Sequence, residues 1–167
     1  MKLVGSAPSP FVRKVLIVAH EIGVFDKIDR IFPKTTPIAP NDQLIRVNPL
    51  AKMPALITQS GATLYDSRVI CEYLDSLHQG NRMFPEALGD RWKALRLQAL
   101  GDGLLDAAVS IRYETTLRPQ NKYWLSWVEG QLGKVHRALD AIEREVDTFD
   151  EVVDIGTIAT ACAAGYL

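Results

Sequence analysis

Cysteine is scarce in this 167-residue chain, which carries only Cys71 and Cys162. The two form no Cys-x-x-Cys pair, and neither stands at a metal-ligand spacing from His20, His78 or His136, so no zinc site is expected. Both fall on apolar stripes of predicted helices, where a cysteine behaves as a small hydrophobe. An excess of charge is also lacking: 19 basic and 20 acidic residues are interspersed, for a formal net charge of −1. That leaves no electrostatic footprint for nucleic acid or for an anionic membrane surface. No apolar run reaches the roughly 18 residues of a membrane span, and Lys2 is followed by no apolar signal core. A soluble protein in a reducing, cytoplasmic setting is the default expectation. There is no internal repeat and no low-complexity tract. What is abundant is core material, since 47% of the residues are apolar, enough for one medium domain or two small ones.

The first half of the chain alternates element types. Leu3-Val4 opens a short strand, and Val12, Val15, Leu16 and Ala19 recur at helical spacing until Gly23 offers a stop. Lys27 to Phe32 reads as a second strand, and Pro33, Pro37 and Pro40 mark a loop into a short helix over Gln43 to Val47. Ala55 to Thr58 and Ala62 to Leu64 read as strands joined by a Ser60-Gly61 turn, an antiparallel hairpin. A helix then runs from Asp66 to about Leu77. The resulting order, βαβαββα, predicts a mixed sheet covered by helices over residues 1–78.

Residues 79–87 are polar and punctuated by glycine and proline, and they read as a linker. Beyond it, over 88–167, strand signals vanish. A long helix reaches about Leu117 and is ended by Arg118-Pro119. Leu125, Val128, Leu132, Val135, Leu139 and Ile142 step by threes and fours as one face of a helical bundle. Ile155, Ile158, Ala159, Cys162 and Tyr166 mark a last apolar helix. Because that helix ends at Leu167 without a cap or polar tail, a further stretch of helical domain is expected beyond this sequence.

Three short segments carry chemistry. Ser9-Pro10 is a helix start in which serine caps and proline removes an orphan donor. The same serine hydroxyl, in the positive potential of a helix N-terminus, can donate to a thiolate. A hydrogen bond to a charged group is worth about 1.5–3 kcal/mol, enough to lower a thiol pKa by roughly one to two units. Met53-Pro54 opens a strand. A trans bond is the ordinary expectation, whereas a cis bond would turn the Met53 N–H and C=O outward to pair with an extended peptide. Asp66-Ser67 is a second capped helix start, suited either to capping alone or to holding a carboxylate on Ser67 and an ammonium on Asp66. Lys52 reads either as a solvated cation or as partner to another carboxylate.

Taken in order, these segments resemble the glutathione S-transferase family. Lys2-Leu-Val-Gly-Ser followed by Ser9-Pro-Phe-Val-Arg-Lys-Val is similar to its first strand and catalytic helix. Asn48-Pro-Leu-Ala-Lys-Met-Pro-Ala-Leu is similar to its cis-proline segment, and Leu64-Tyr-Asp-Ser to its γ-glutamyl site. Asp154-Ile-Gly-Thr-Ile-Ala-Thr-Ala-Cys resembles the buried central helix of its second domain. The resemblance implies a thioredoxin-like α/β N-terminal domain followed by an all-α helical-bundle domain, the latter incomplete. It further implies a serine-type bacterial member in which Ser9 activates the glutathione sulfur and the Met53 backbone, before cis-Pro54, pairs with the cysteinyl unit. Asp66 and Ser67 would hold the γ-glutamyl end, and Lys52 the glycyl carboxylate. Phe11 would border the acceptor. One departure stands out: where the family starts its central helix with Ser or Thr three residues before Asp, this chain has Glu151 before Asp154, which is expected to weaken the capping box.

The function implied is conjugation of glutathione, as co-substrate and with no prosthetic group or metal, to a hydrophobic electrophile by a homodimer. Two other readings stay open: a non-catalytic interaction or regulatory protein on the same fold, and a glutathione-dependent isomerase or dehalogenase.

Overall fold

The computed structural model describes residues 1–149 and 153–167. The chain divides into two compact units, Met1–Glu86 and Ala87–Leu167.

In the first unit the elements are β1 (Lys2–Val4), α1 (Pro10–Glu21), β2 (Asp29–Ile31), α2 (Asp42–Val47), β3 (Ala55–Ile57), β4 (Thr63–Leu64) and α3 (Ser67–Asp75). This is the expected βαβαββα order of a thioredoxin-like domain. Its four strands lie in the order β2-β1-β3-β4. β1 pairs parallel with β2 and antiparallel with β3, and β4 closes the hairpin on β3. The second strand is shorter than Lys27 to Phe32, because Phe25–Lys27 winds into a 3₁₀ turn before the ladder begins. α3 ends at Asp75, two residues short of Leu77, where the Ser76 hydroxyl turns back onto the Tyr73 carbonyl at 2.6 Å.

The core of this unit joins Val4, Leu44 and Ala55, with Ile31, Val47 and Tyr65 packed around them. α1 packs against α3, and α2 against β3. Gly5 sets how closely β1 hands over to α1: a Cβ there would stand 2.5 Å from Val12 Cγ2. Any larger residue would push the end of the strand away from the helix start that carries Ser9. Downstream of α3, the buried Asp75 carboxylate gathers the outgoing chain. It accepts from the Met83 N–H at 2.8 Å and the Phe84 N–H at 3.2 Å, and it bonds His78 Nε2 at 2.9 Å.

The second unit comprises α4 (Leu88–Thr116), α5 (Leu125–Glu145) and α6 (Ile155–Ala164). α4 packs on both α5 and α6. Its contact with α6 is backbone to backbone, since a Cβ on Gly101 would lie 2.8 Å from the Ala159 carbonyl and one on Gly156 2.6 Å from the Ala94 oxygen. A bidentate pair ties α4 to α5, Arg96 Nη1 meeting Glu145 Oε1 at 3.0 Å while Nη2 bonds Oε2.

Two expectations are corrected here. The α5 stripe is only partly covered: Val128 and Val135 are buried, but Leu125 and Leu132 are exposed. The start of α6 is not weakly capped. Asp154 is itself the N-cap, with its Oδ1 accepting from the Thr157 N–H at 2.9 Å and its own N–H donating to Thr157 Oγ1 at 3.0 Å. This reciprocal box needs nothing from Glu151, which lies outside the described residues. Both cysteines are free and buried. Among the described residues no helix is long and apolar enough to cross a membrane.

Candidate functional site

Strand direction brings the chemical segments of the first unit to one end of its sheet. β1 finishes at Val4 opposite Ala55, the first residue of β3, and β4 finishes at Leu64 opposite Leu56. The loop after β1, the segment before β3 and the segment after β4 therefore emerge together. They carry Ser9, Met53-Pro54 and Asp66-Ser67.

Ser9 is the N-cap of α1, with Pro10 as the first helical residue. Its Oγ accepts from the Val12 N–H at 3.4 Å, a long bond, and among the described residues its O–H has no acceptor. The side chain is half-buried. Capping thus uses one lone pair weakly and leaves the donor free. Phe11 follows within the first turn of the same helix and is also half-buried.

The Met53-Pro54 bond is cis. Neither the Met53 N–H nor its C=O has a partner among the described residues, although Ala55 two residues on is paired in the sheet. Pro54 is buried, Met53 half-buried and Lys52 exposed. A buried Asn48 holds this segment in place. Its Nδ2 donates to the Lys52 carbonyl at 2.7 Å and its Oδ1 accepts from the Leu50 N–H at 3.0 Å. The loop so clamped runs through Ala51 at a φ of 51°. Asn48 is a positioning residue absent from the sequence-derived set; Asn-Pro marks a turn, but nothing local says that the amide reaches four residues ahead.

Asp66 caps α3, its Oδ1 accepting from the Arg68 N–H at 2.9 Å. Asp66 is exposed, so its carboxylate faces solvent while half committed to the helix. Ser67 is the first residue of α3 and is 2% exposed. Its hydroxyl takes no partner among the described residues and is not shut off from solvent, Gln98 Nε2 being the one fully buried side-chain atom left unpartnered among them. A free hydroxyl and the first-turn amides that Asp66 does not take, in a helix's positive end field, form an anion cradle. With the Met53 strand-edge amide and the Ser9 donor, this end of the sheet offers one carboxylate cradle, one extended-backbone partner and one hydroxyl donor. Among the described residues no group of histidine, cysteine and acidic side chains is arranged to hold a metal ion.

A family model described as the glutathione S-transferase N-terminal domain matches residues 8–77. The GST-like protein YibF of Escherichia coli K12 is 35% identical over all of this chain and 82% of its own length. A glutathione transferase family member from Pseudomonas fluorescens Pf-5, solved with bound glutathione, is 43% identical with a TM-score of 0.96 over 99% of this chain and 82% of that one. A second structure from the same organism, with bound S-(propanoic acid)-glutathione, is 42% identical with a TM-score of 0.91 over 99% and 81% of the two chains.

Proposed function

Since the chain belongs to the glutathione S-transferase family, we propose that it is a serine-type glutathione transferase acting on electrophiles. The observation that carries this reading is the convergence of Ser9, the unpaired Met53 backbone and the uncommitted Ser67 hydroxyl at one end of the sheet. Glutathione is a short extended peptide with a thiol at its centre and carboxylates at both ends, and each feature has a counterpart.

In this reading the Met53 N–H and C=O pair with the cysteinyl residue as an added strand. The γ-glutamyl carboxylate sits on Ser67 and the start of α3, Asp66 takes the γ-glutamyl ammonium with its free oxygen, and Lys52 reaches the glycyl carboxylate. Ser9 donates its O–H to the sulfur. Because that bond is stronger with thiolate than with thiol, it lowers the thiol pKa and raises the fraction of nucleophile near neutrality. The thiolate then forms a bond to the electrophilic carbon. A leaving group departs with the bonding pair or, for a conjugated acid, the π pair moves to the α-carbon, which takes a proton from water. The product of the second route with a three-carbon acid is an S-(propanoic acid) adduct, the ligand type in the Pseudomonas relative.

The protein works as a cytoplasmic homodimer in this account, a two-fold pairing being the commonest closed assembly. A concentration series in the analytical ultracentrifuge that shows monomer throughout would remove that part. The free Ser9 donor favours an enzyme over a non-catalytic binding protein, because a cap alone has no use for it. Titration calorimetry with glutathione, then turnover with aryl halide, epoxide, hydroperoxide and acrylate acceptors, tests the whole. Binding with turnover supports the reading; binding without turnover points to the interaction protein; no binding overturns it.

A further inference from the structure

The turn between α4 and α5 breaks two local rules at one residue. Trp124 is the N-cap of α5, a position that favours Ser, Thr, Asp or Asn, and its side chain caps nothing. It is also 65% exposed, with Leu125 beside it at 57%. Tyr123 completes a run of three exposed apolar side chains, and Tyr113 adds a fourth in the last turn of α4. Single exposed apolar residues are ordinary, but a cluster of large ones marks a surface with a partner. A residue that works against the local fold is expected where the chain does something besides folding.

The turn is nevertheless well tied. Arg96 near the start of α4 joins Glu145 at the end of α5, while Glu114 near the end of α4 reaches Trp124 before the start of α5, so the two helices are antiparallel and residues 117–124 close one end of the unit. The buried Glu114 carboxylate accepts from Arg118 Nε at 2.9 Å and from the Trp124 N–H at 3.3 Å. Gln120–Lys122 winds into a 3₁₀ turn closed by the Lys122 N–H on the Pro119 carbonyl at 2.8 Å. Hydrogen bonds therefore hold the aromatic run outward. Charge is uneven here as well: over residues 107–128 the only acid is Glu114, already taken by Arg118. Arg112 and Lys122, at the same end, have no side-chain hydrogen bond or ion pair among the described residues. A chain whose charges are otherwise interspersed carries two free cations beside its apolar turn.

We propose that this turn docks on an anionic lipid bilayer. Trp124 and Tyr123 settle at the headgroup level, Leu125 reaches the acyl boundary, and Arg112 and Lys122 meet anionic headgroups. A turn protruding from the end of a helix pair suits that plane, whereas a peptide partner needs a groove or a strand edge to lie in. The chain rests on the bilayer without crossing it, since no described helix is long and apolar enough to span. The surface lies wholly within the helical unit and stands apart from the glutathione reading.

Cosedimentation of the whole chain with vesicles of phosphatidylcholine, alone or mixed with phosphatidylglycerol, tests the proposal. Partitioning should be about 25-fold stronger onto the anionic vesicles at low salt, about fivefold for each free cation, and the preference should shrink as salt rises. Replacing Arg112 and Lys122 together with Gln should remove the preference. Trp124→Ser should cut binding to anionic vesicles about tenfold or more while the melting temperature holds or rises, because serine is the better N-cap. Brominated lipid should quench the tryptophan fluorescence of the wild type more than that of Trp124→Phe. No binding to anionic vesicles, binding that Trp124→Ser leaves unchanged, or equal quenching in Trp124→Phe would overturn the docking surface. Binding to soluble polyglutamate as strong as to the vesicles, and equally lost in Trp124→Ser, would assign the turn to an acidic protein and overturn it too.

Discussion

The Asn48 side chain spans the turn before the cis-proline and donates to the Lys52 carbonyl at 2.7 Å, fixing the backbone from which Met53 presents its free polar groups. The residue is 1% exposed, so its amide has no water to fall back on. Precision at Met53 thus originates five residues upstream, in a side chain that has no place of its own in the chemistry.

Replacing Asn48 with Ala should cost stability and glutathione affinity together. The variant removes the partner of the Lys52 carbonyl and of the Leu50 N–H, two part-buried bonds each worth about 0.5–1.5 kcal/mol. Denaturant unfolding followed by calorimetry would measure both. An Asn48→Ala chain with native stability and native affinity would show that the clamp is incidental.

Ser67→Ala should separate binding from folding. The hydroxyl makes no hydrogen bond within the described chain, so the folded state loses little, whereas a charge-assisted bond of about 1.5–3 kcal/mol to a ligand carboxylate would be lost. Affinity for glutathione should fall about tenfold or more while the melting temperature stays within a few degrees. Equal titration curves for the two proteins would remove Ser67 from the binding set.

The Arg96–Glu145 pair predicts a pH-dependent contribution in the helical unit. The hydrogen bond from Arg96 holds the Glu145 carboxyl below its ordinary value of 4.5, against an opposing desolvation effect and with a further contribution from the charge of Arg96. A depressed acid contributes stability that is fully present above the ordinary value and is lost as pH falls through the lowered one. The side chains are 53% and 30% exposed, so screening limits the contribution to about 0.2–1 kcal/mol. Glu145→Gln should be destabilised by that amount at pH 7 and approach the wild type as acid protonates Glu145. Urea unfolding at the two pH values would show it, and a difference that grows toward acid would contradict the assignment.

Local signals made much of this fold legible. Ser9-Pro10 and Asp66-Ser67 predicted the starts of α1 and α3, since caps and proline act within one turn. The Ser60-Gly61 turn located the hairpin, with the Thr58 N–H meeting the Ala62 carbonyl at 2.9 Å. Interactions reaching across sequence stayed hidden. Asn48 stands in an Asn-Pro turn and Asp75 near the end of a helix; only the folded chain shows one bridging to Lys52 and the other collecting Met83 and Phe84. Spacing along α5 predicted a continuous face, but spacing says which residues align and not how far the neighbouring helices cover them, so Leu125 and Leu132 stand exposed. At α6 the Glu151 position suggests a weak start, whereas Asp154 and Thr157 form the box between themselves.

The central claim is that Ser9 activates the glutathione thiol rather than only capping α1, and the thiolate absorbance of bound glutathione against pH tests it most directly. As a cap the serine is weak, its bond to the Val12 N–H being 3.4 Å long, so Ser9→Ala should lose stability only at the low end of the usual 0.5–2 kcal/mol. As a donor to sulfur it is worth about 1.5–3 kcal/mol, which corresponds to a rise of about one to two units in the bound thiol pKa and a roughly 10- to 100-fold loss of turnover near neutrality. The account predicts that shifted titration, with glutathione affinity at low pH little changed. A Ser9→Ala protein whose bound thiol titrates as in the wild type would contradict it.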